Sequence, residues 1–240
     1  MPPAPTREPA AVTSARAAVA EAIGAALLVA AVVGSGIMAE RLAGGSVGLA
    51  LLANTLATGG ALLALIHALG PVSGAHFNPV VTLWAAWSGA LPRARTASYL
   101  LAQLGGGVLG VMLANLMFDL DALHLATTRR GGAGQWLGEV VATFGLLGVI
   151  IGVSRRSPRK AAASVAGFIV AAYWFTSSTS FANPAVTVAR ALSDSFAGIR
   201  PADVPGFVLA QLVGGALGAA LFAWLVPELP AAAAVGQEPR

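Results

Sequence analysis

Two stretches of this chain repeat each other in the same order, and each holds an odd number of apolar spans. Glu21 in "AEAIGAALLVA" is answered by Glu139 in "GEVVATFGLLG", and "FNPVVTL" at 77–83 by "ANPAVTV" at 182–188. "LAQLGGGVLG", from Leu101, is answered by "LAQLVGGALG", from Leu209. The asparagine-to-glutamine offsets are 25 (103 − 78) and 28 (211 − 183). Apolar spans fall at 16–38, 47–70 and 97–118 in the first copy, and at 136–154, 161–178 and 205–226 in the second. Three spans per copy force the second copy to enter a membrane upside down relative to the first, which is an inverted repeat.

The spans identify a membrane protein because each approaches the roughly 20 residues that cross about 30 Å of hydrocarbon as a helix. Composition agrees: 57% of the residues are hydrophobic and 10% charged, where a soluble domain carries about 25% charged residues. Backbone groups in lipid must be satisfied internally, so long apolar runs read as helices rather than barrel strands. The domain is expected at 16–226, with repeat one at 16–118 and repeat two at 136–226, divided by the polar linker "DLDALHLATTRRGGAG". The tails, 1–15 and 227–240, are rich in Pro and Ala and read as disordered.

The net charge of +4 does not point to nucleic acid, because the basic residues sit at the edges of the apolar spans. With the N-terminus inside, Arg7, Arg16, Arg93, Arg95, Arg155, Arg156, Arg159, Lys160 and Arg240 are cytoplasmic. Arg41, Arg129, Arg130 and Arg200 are outside, with Arg190 set apart. Both termini are therefore expected in the cytoplasm, on a multi-pass protein of the inner (plasma) membrane. The chain has no cysteine, which excludes disulfides and thiolate metal sites. Its three histidines are too scattered for a metal site.

Two apolar pieces, near 78–88 and 183–193, are too short to cross. Each opens on Asn-Pro after a polar run, "GPVSGAHF" or "TSSTSF". Asparagine is a favoured N-cap, and proline fits the first helical turn, where its missing N–H would have had no partner. Asn78-Pro79-Val80 and Asn183-Pro184-Ala185 therefore each start a half-helix. In an inverted repeat the two enter from opposite faces and their N-termini meet near the midplane, each carrying about half a positive charge. Irregular backbone at that depth is tolerated where it is buried or lines a wet cavity. Amide donors on Asn78 and Asn183, facing unwound carbonyls, suit water or a neutral hydroxylated molecule, while the paired dipole ends oppose cations.

At these residues the chain resembles the aquaporin and aquaglyceroporin family, also called the major intrinsic proteins. The elements "SGAHFNPVVTL" and "FANPAVTV", the two intramembrane glutamates and the "AQL" segments fall in order over 16–226. The resemblance implies an all-α, aquaporin-like membrane fold: six transmembrane helices plus two re-entrant half-helices, with a pore through each protomer of a homotetramer. Its partners would be the lipid bilayer and small neutral solutes, with no cofactor and no nucleic acid. Small residues in "GGGVLG" and "GGALG" suit close helix contacts.

Two positions depart from the family pattern. Val80 stands where alanine is usual, implying a slightly bulkier contact between the half-helices. Val186 stands where the family carries arginine in its narrow selectivity filter. Ungapped counting places the other filter positions at Thr58, Ala171 and Ser180; a shift of one or two residues would bring Tyr173 or Trp174 to the pore instead of Ala171. Thr58, Ala171, Ser180 and Val186 are all small or medium and uncharged, so the filter is expected to be wide. The resemblance to a bacterial arsenic-resistance subgroup with valine at this position implies arsenite, as neutral As(OH)3, and methylated arsenicals beside glycerol and water.

Arg190, one helical turn beyond Val186, either guards the outer vestibule or pairs with Asp194 or loop carbonyls. Glu21 and Glu139 are costly at membrane depth; the family uses them to accept hydrogen bonds from the unwound loops, while a proton-coupled carrier would use them as relays. His76 matches a family position lining the cytoplasmic side of the pore. His67 reads as a hydrogen-bonded interior residue. The reading is a passive channel rather than an enzyme, since no nucleophile, base and orienting group converge. A coupled secondary transporter and an ion-leaky channel are the alternatives.

Overall fold

The computed structural model describes residues 12–228. Most of both expected tails, with Arg7 and Arg240, lies outside the described residues. Eight α-helices form among them: α1 (Ser14–Leu42), α2 (Val47–Ser73), α3 (Pro79–Trp87), α4 (Arg93–Met117), α5 (Ala133–Arg156), α6 (Ala161–Phe175), α7 (Pro184–Arg190) and α8 (Val204–Leu225). Single 3-10 turns lead into α6 and α8. The order long-long-short-long occurs twice, as the repeat requires. The fold is all-helical, with six long helices and two half-helices.

Starts follow local chemistry. Thr13 Oγ1 accepts the Arg16 N–H at the head of α1, and Ser46 Oγ accepts the Leu49 N–H at the head of α2. Helix α2 runs through Pro71 to Ser73, three residues past the expected span, and ends at Gly74 with φ 87°. The residues expected as part of a flexible run thus form a last helical turn. Five helices are long and apolar enough to cross a bilayer by length and composition. The sixth, α6, has 15 residues, about 22 Å at 1.5 Å per residue. It stops at Phe175 rather than 178, because Thr176 turns extended and its hydroxyl bonds back to the Ala172 carbonyl.

Packing places the short helices. Within the first repeat α1 lies on α2 and α4, within the second α5 lies on α6 and α8, and α2 against α6 joins the halves. Half-helix α3 is wedged between α4 of its own repeat and α8 of the other; α7 is wedged between α8 and α4. The glycines of the "AQL" segments permit this closeness. A Cβ on Gly106 would lie 2.2 Å from the Ala22 carbonyl oxygen, and one on its counterpart Gly214 would lie 2.3 Å from that of Val140. Backbone meets backbone along both seams, α1 with α4 and α5 with α8.

Val80 packs on α8: its Cγ1 fills the space over Gly215, where a Cβ would come within 2.2 Å. One expectation is corrected. His67 is exposed on the outside of α2 and has no hydrogen-bond partner among the described residues; it sits on a face of α2 that points away from the bundle. The linker is also tied down. His124 and Ala126 donate backbone N–H groups to the Leu192 and Ala191 carbonyls, and Arg200 N–H donates to the Thr128 carbonyl. Thr127 caps Asp194 through both its N–H and its hydroxyl.

Candidate functional site: a pore between the half-helices

The two half-helices meet head to head and clasp each other. Asn78 Oδ1 accepts the Val80 N–H (2.9 Å), and Asn183 Oδ1 accepts those of Ala185 (3.0 Å) and Val186 (3.3 Å), so each asparagine caps its own helix. Each amide nitrogen then reaches across. Asn78 Nδ2 donates to the Ala182 carbonyl at 2.7 Å, and Asn183 Nδ2 donates to the Phe77 carbonyl at 2.8 Å. Each Nδ2 has two protons; one is used in the clasp and the other is left for the cavity that both asparagines line.

The unwound segments before the asparagines are strained in matching places. Ala75 and Phe77 have φ of 50° and 49°; Ser180 and Ala182, at equivalent positions, have 49° and 47°. Left-handed backbone is unfavourable for residues with a Cβ, by roughly 1–2 kcal/mol each. The glutamates hold it in place. Glu21 Oε1 accepts from Ser73 Oγ (2.6 Å) and His76 N–H (2.9 Å), and Oε2 from Phe77 N–H (2.7 Å) and Gln103 Nε2 (2.7 Å). Glu139 Oε1 accepts from Phe181 N–H (2.8 Å), and Oε2 from Ala182 N–H (2.8 Å) and Gln211 Nε2 (2.6 Å). Both carboxylates are fully buried. Four or three donors on each carboxylate offset its desolvation, the condition under which a buried charge is tolerated.

The repeat also pairs two residues not singled out from the sequence, Thr82 and Thr187. Gln103 Nε2 donates to Thr82 Oγ1 and Gln211 Nε2 to Thr187 Oγ1, each at 2.8 Å. Both threonines stand four residues after the asparagine in "FNPVVTL" and "ANPAVTV", so the duplication itself carried the signal.

A cavity of about 190 Å³ runs along this junction. One end is lined by Ile66, Ser154 and Ala161, the middle by His76, Asn78 and Asn183, and the other end by Thr58, Ser180, Val186 and Arg190. His76 lines the cavity, with Nδ1 3.1 Å from Thr82 Oγ1 and its ring 5.3 Å from that of Tyr99. Thr58, Ser180 and Val186 all line the cavity. Ala171 does not. It is exposed on the outer face of α6, and Tyr173 takes the wall instead, its hydroxyl 3.3 Å from Thr58 Oγ1. The count from Asn183 fails because Phe175 ends α6, and the extended and left-handed residues between do not keep helical phase.

Arg190 is 2% exposed and lies at this same end. Its guanidinium carbon is 3.3 Å from the centroid of the Phe181 ring, and Nε–H donates to the Ala197 carbonyl. Of the two pairings weighed from sequence, the loop carbonyl is the one formed; Asp194 is engaged by Thr127. Arg130, from the linker, lies on the same ring at 5.2 Å and donates to the Gly198 and Phe196 carbonyls. From the sequence Arg130 reads only as a charge outside the membrane and Phe181 is not singled out, and no local pattern marks either for the site. Among the described residues no cluster of His, Cys, Asp or Glu could hold a metal ion.

Comparisons with known proteins agree with this geometry. Residues 8–180 match the family described as "Major intrinsic protein". The chain is 53% identical over 212 residues to the aquaglyceroporin AqpS of Rhizobium meliloti (strain 1021), covering 88% of this chain and 90% of that protein. It is 34% identical over 179 residues to the aquaporin AqpM of Methanothermobacter marburgensis, covering 68% and 72% respectively. Among solved structures, the aquaglyceroporin from Plasmodium falciparum superposes with a TM-score of 0.61 at 19% identity, over 89% of this chain and 95% of that one, a likeness of fold. With the clasped half-helices, the glutamate anchors and these relatives in agreement, the chain belongs to the major intrinsic protein family of membrane channels.

Proposed function

We propose that this channel passes small neutral polar solutes passively through an aperture that lacks the family's filter arginine: glycerol and water, and also arsenite and methylated arsenicals. The observation that carries the reading is Val186. Its side chain occupies the cavity wall where the resemblance puts a guanidinium, and the nearest guanidinium on α7, that of Arg190, is held one turn away by Phe181 and Ala197. Tyr173 supplies one aromatic wall, and Thr58, Ser180 and Val186 keep the rest small. The relative at 53% identity bears the name aquaglyceroporin, which supports the glycerol part of the proposal.

Cations meet two obstacles in series: the facing positive ends of α3 and α7, then Arg190, with Arg130 behind it on the same Phe181 ring. Without a residue at 186 to supply the charge, Arg190 serves as the vestibule guard. The chain works as a homotetramer in the inner membrane with both termini cytoplasmic; the charge distribution of the loops supports that orientation.

The test is stopped-flow light scattering on proteoliposomes, comparing water, glycerol and arsenite for the wild type and Val186→Arg. The substitution is expected to lower glycerol and arsenite flux by about tenfold, equivalent to 1.4 kcal/mol of added barrier, and water flux less. Unchanged fluxes for all three solutes would remove Val186 from the filter.

A further inference from the structure

Arg190 and Arg130 form a cationic pair without an ion-pair contact among the described residues. The ion pairs among the described residues are Arg155 with Glu228 and Arg200 with Asp203, and neither involves this pair. The one carboxylate whose charge reaches both guanidinium groups is that of Glu139, and its oxygens are already taken by Phe181, Ala182 and Gln211. Asp203 accepts the backbone N–H of Arg130 and the Arg200 guanidinium, and does not meet the Arg130 side chain. Beyond the Phe181 ring and the field of Glu139, the two side chains receive only carbonyl dipoles.

Arg190 is the more affected by this deficit because it is the more buried. Of its five N–H donors, one is used, Nε–H on Ala197. Nη1 is buried with no partner, and the residue lines the same cavity as Ser180, whose Oγ is also buried and unpartnered. Both guanidinium carbons stand close to one aromatic ring, so they are no farther apart than the sum of 3.3 Å and 5.2 Å, about one Debye length at physiological salt, roughly 8 Å. Like charges at that spacing repel, and a buried guanidinium with open donors is stable only when something fills them.

We propose that Arg190 and Arg130 hold one small monovalent anion, a halide or a carboxylate, at the outer end of the cavity. The anion sits against Arg190 where that side chain lines the cavity, in the field of Arg130. A divalent anion is a poor fit, because the carbonyls of Ala197, Phe196 and Gly198 crowd the same groups with negative dipoles.

The test uses the full-length protein in detergent. Crystals soaked in sodium bromide are expected to show an anomalous peak within hydrogen-bond reach of Arg190. In solution, thermal unfolding is followed while bromide, or in a second arm formate, replaces gluconate at constant ionic strength. A saturable rise in melting temperature is expected, with its midpoint moved up by at least about tenfold in Arg130→Gln and the rise lost in Arg190→Gln. Arg130→Gln keeps the buried residue and is the informative variant should Arg190→Gln fold poorly. A response to bromide alone assigns a halide site, and a response to formate a carboxylate site. No peak at Arg190, or the same midpoint in wild type and Arg130→Gln, overturns the proposal. The readout is binding, so it stands or falls separately from the solutes the channel passes.

Discussion

Replacing Glu139 by glutamine keeps the shape of the anchor and removes its capacity to accept on both sides. The carboxylate takes Phe181 N–H on one oxygen, and Ala182 N–H with Gln211 Nε2 on the other. In the better orientation of the substituted amide, its oxygen keeps the second pair, and its NH2 then faces the Phe181 N–H, donor against donor. One buried N–H left unpaired costs about 1–3 kcal/mol, and the bonds that survive lose their charge assistance, for a total of about 3 kcal/mol. By the scaling for chains of this size, that is a drop in melting temperature of roughly 6–12 °C. Phe181 and Ala182, with their bonds to the anchor broken or weakened, relax toward the cavity, so solute flux falls as well. Thermal unfolding of the detergent-solubilised protein and glycerol flux in liposomes measure both. A Glu139→Gln protein that melts with the wild type and conducts equally would refute the anchor argument.

Gly106→Ala and Gly214→Ala, which place a methyl group 2.2–2.3 Å from a backbone carbonyl, are expected to cost at least about 3 kcal/mol, the upper part of the overpacking range, and to reduce the yield of monodisperse protein on size exclusion. Gly105→Ala, which meets nothing within 4 Å, is the neutral control. Tyr173→Ala is expected to raise glycerol flux while Ala171→Leu leaves it unchanged; the reverse result would restore Ala171 to the filter. Asp203 is pulled upward by burial, but its bonds from Arg200 and from the Arg130 N–H hold its carboxyl below the ordinary value. Its stabilising contribution is therefore fully present above the unfolded carboxylate value of about 4 and is lost only as pH falls through the lower folded one. Asp203→Asn is expected to flatten that acid limb of a pH–stability curve, measured by thermal unfolding between pH 3 and pH 6.

What is legible in the sequence is what it states twice. The half-helices, the glutamates and the glutamines each occur in both copies, so chance resemblance is excluded by position, and the inverted arrangement follows from counting spans. Thr82 and Thr187 are legible on the same ground. Counting residues misplaces Ala171 because it assumes one rise per residue, and the path from Phe175 to Asn183 mixes extended and left-handed backbone. Asp194 is a reasonable i+4 partner for Arg190 only on a continuing helix, and α7 ends at Arg190. The Arg130–Phe181–Arg190 stack joins residues far apart in sequence that no local periodicity connects. Reading an apolar span as having an inner face all round puts His67 inside, whereas one side of α2 faces outward.

The reciprocal clasp also sets an order of events during synthesis. Asn78 needs the carbonyl of Ala182, 104 residues later in the chain, and ribosomes add roughly 5–20 residues per second. For about 5–20 s, then, the first half-helix exists with Asn78 Nδ2 facing no carbonyl of the second repeat, its loop held by Glu21 and Tyr99. The first repeat must be sheltered at membrane depth through that interval, by the insertion machinery or by α2 and α4 closed around it. Completion of the pore is thus a late event, tied to arrival of the second repeat, and a chain interrupted between Gly132 and Asn183 would leave no open path across the bilayer.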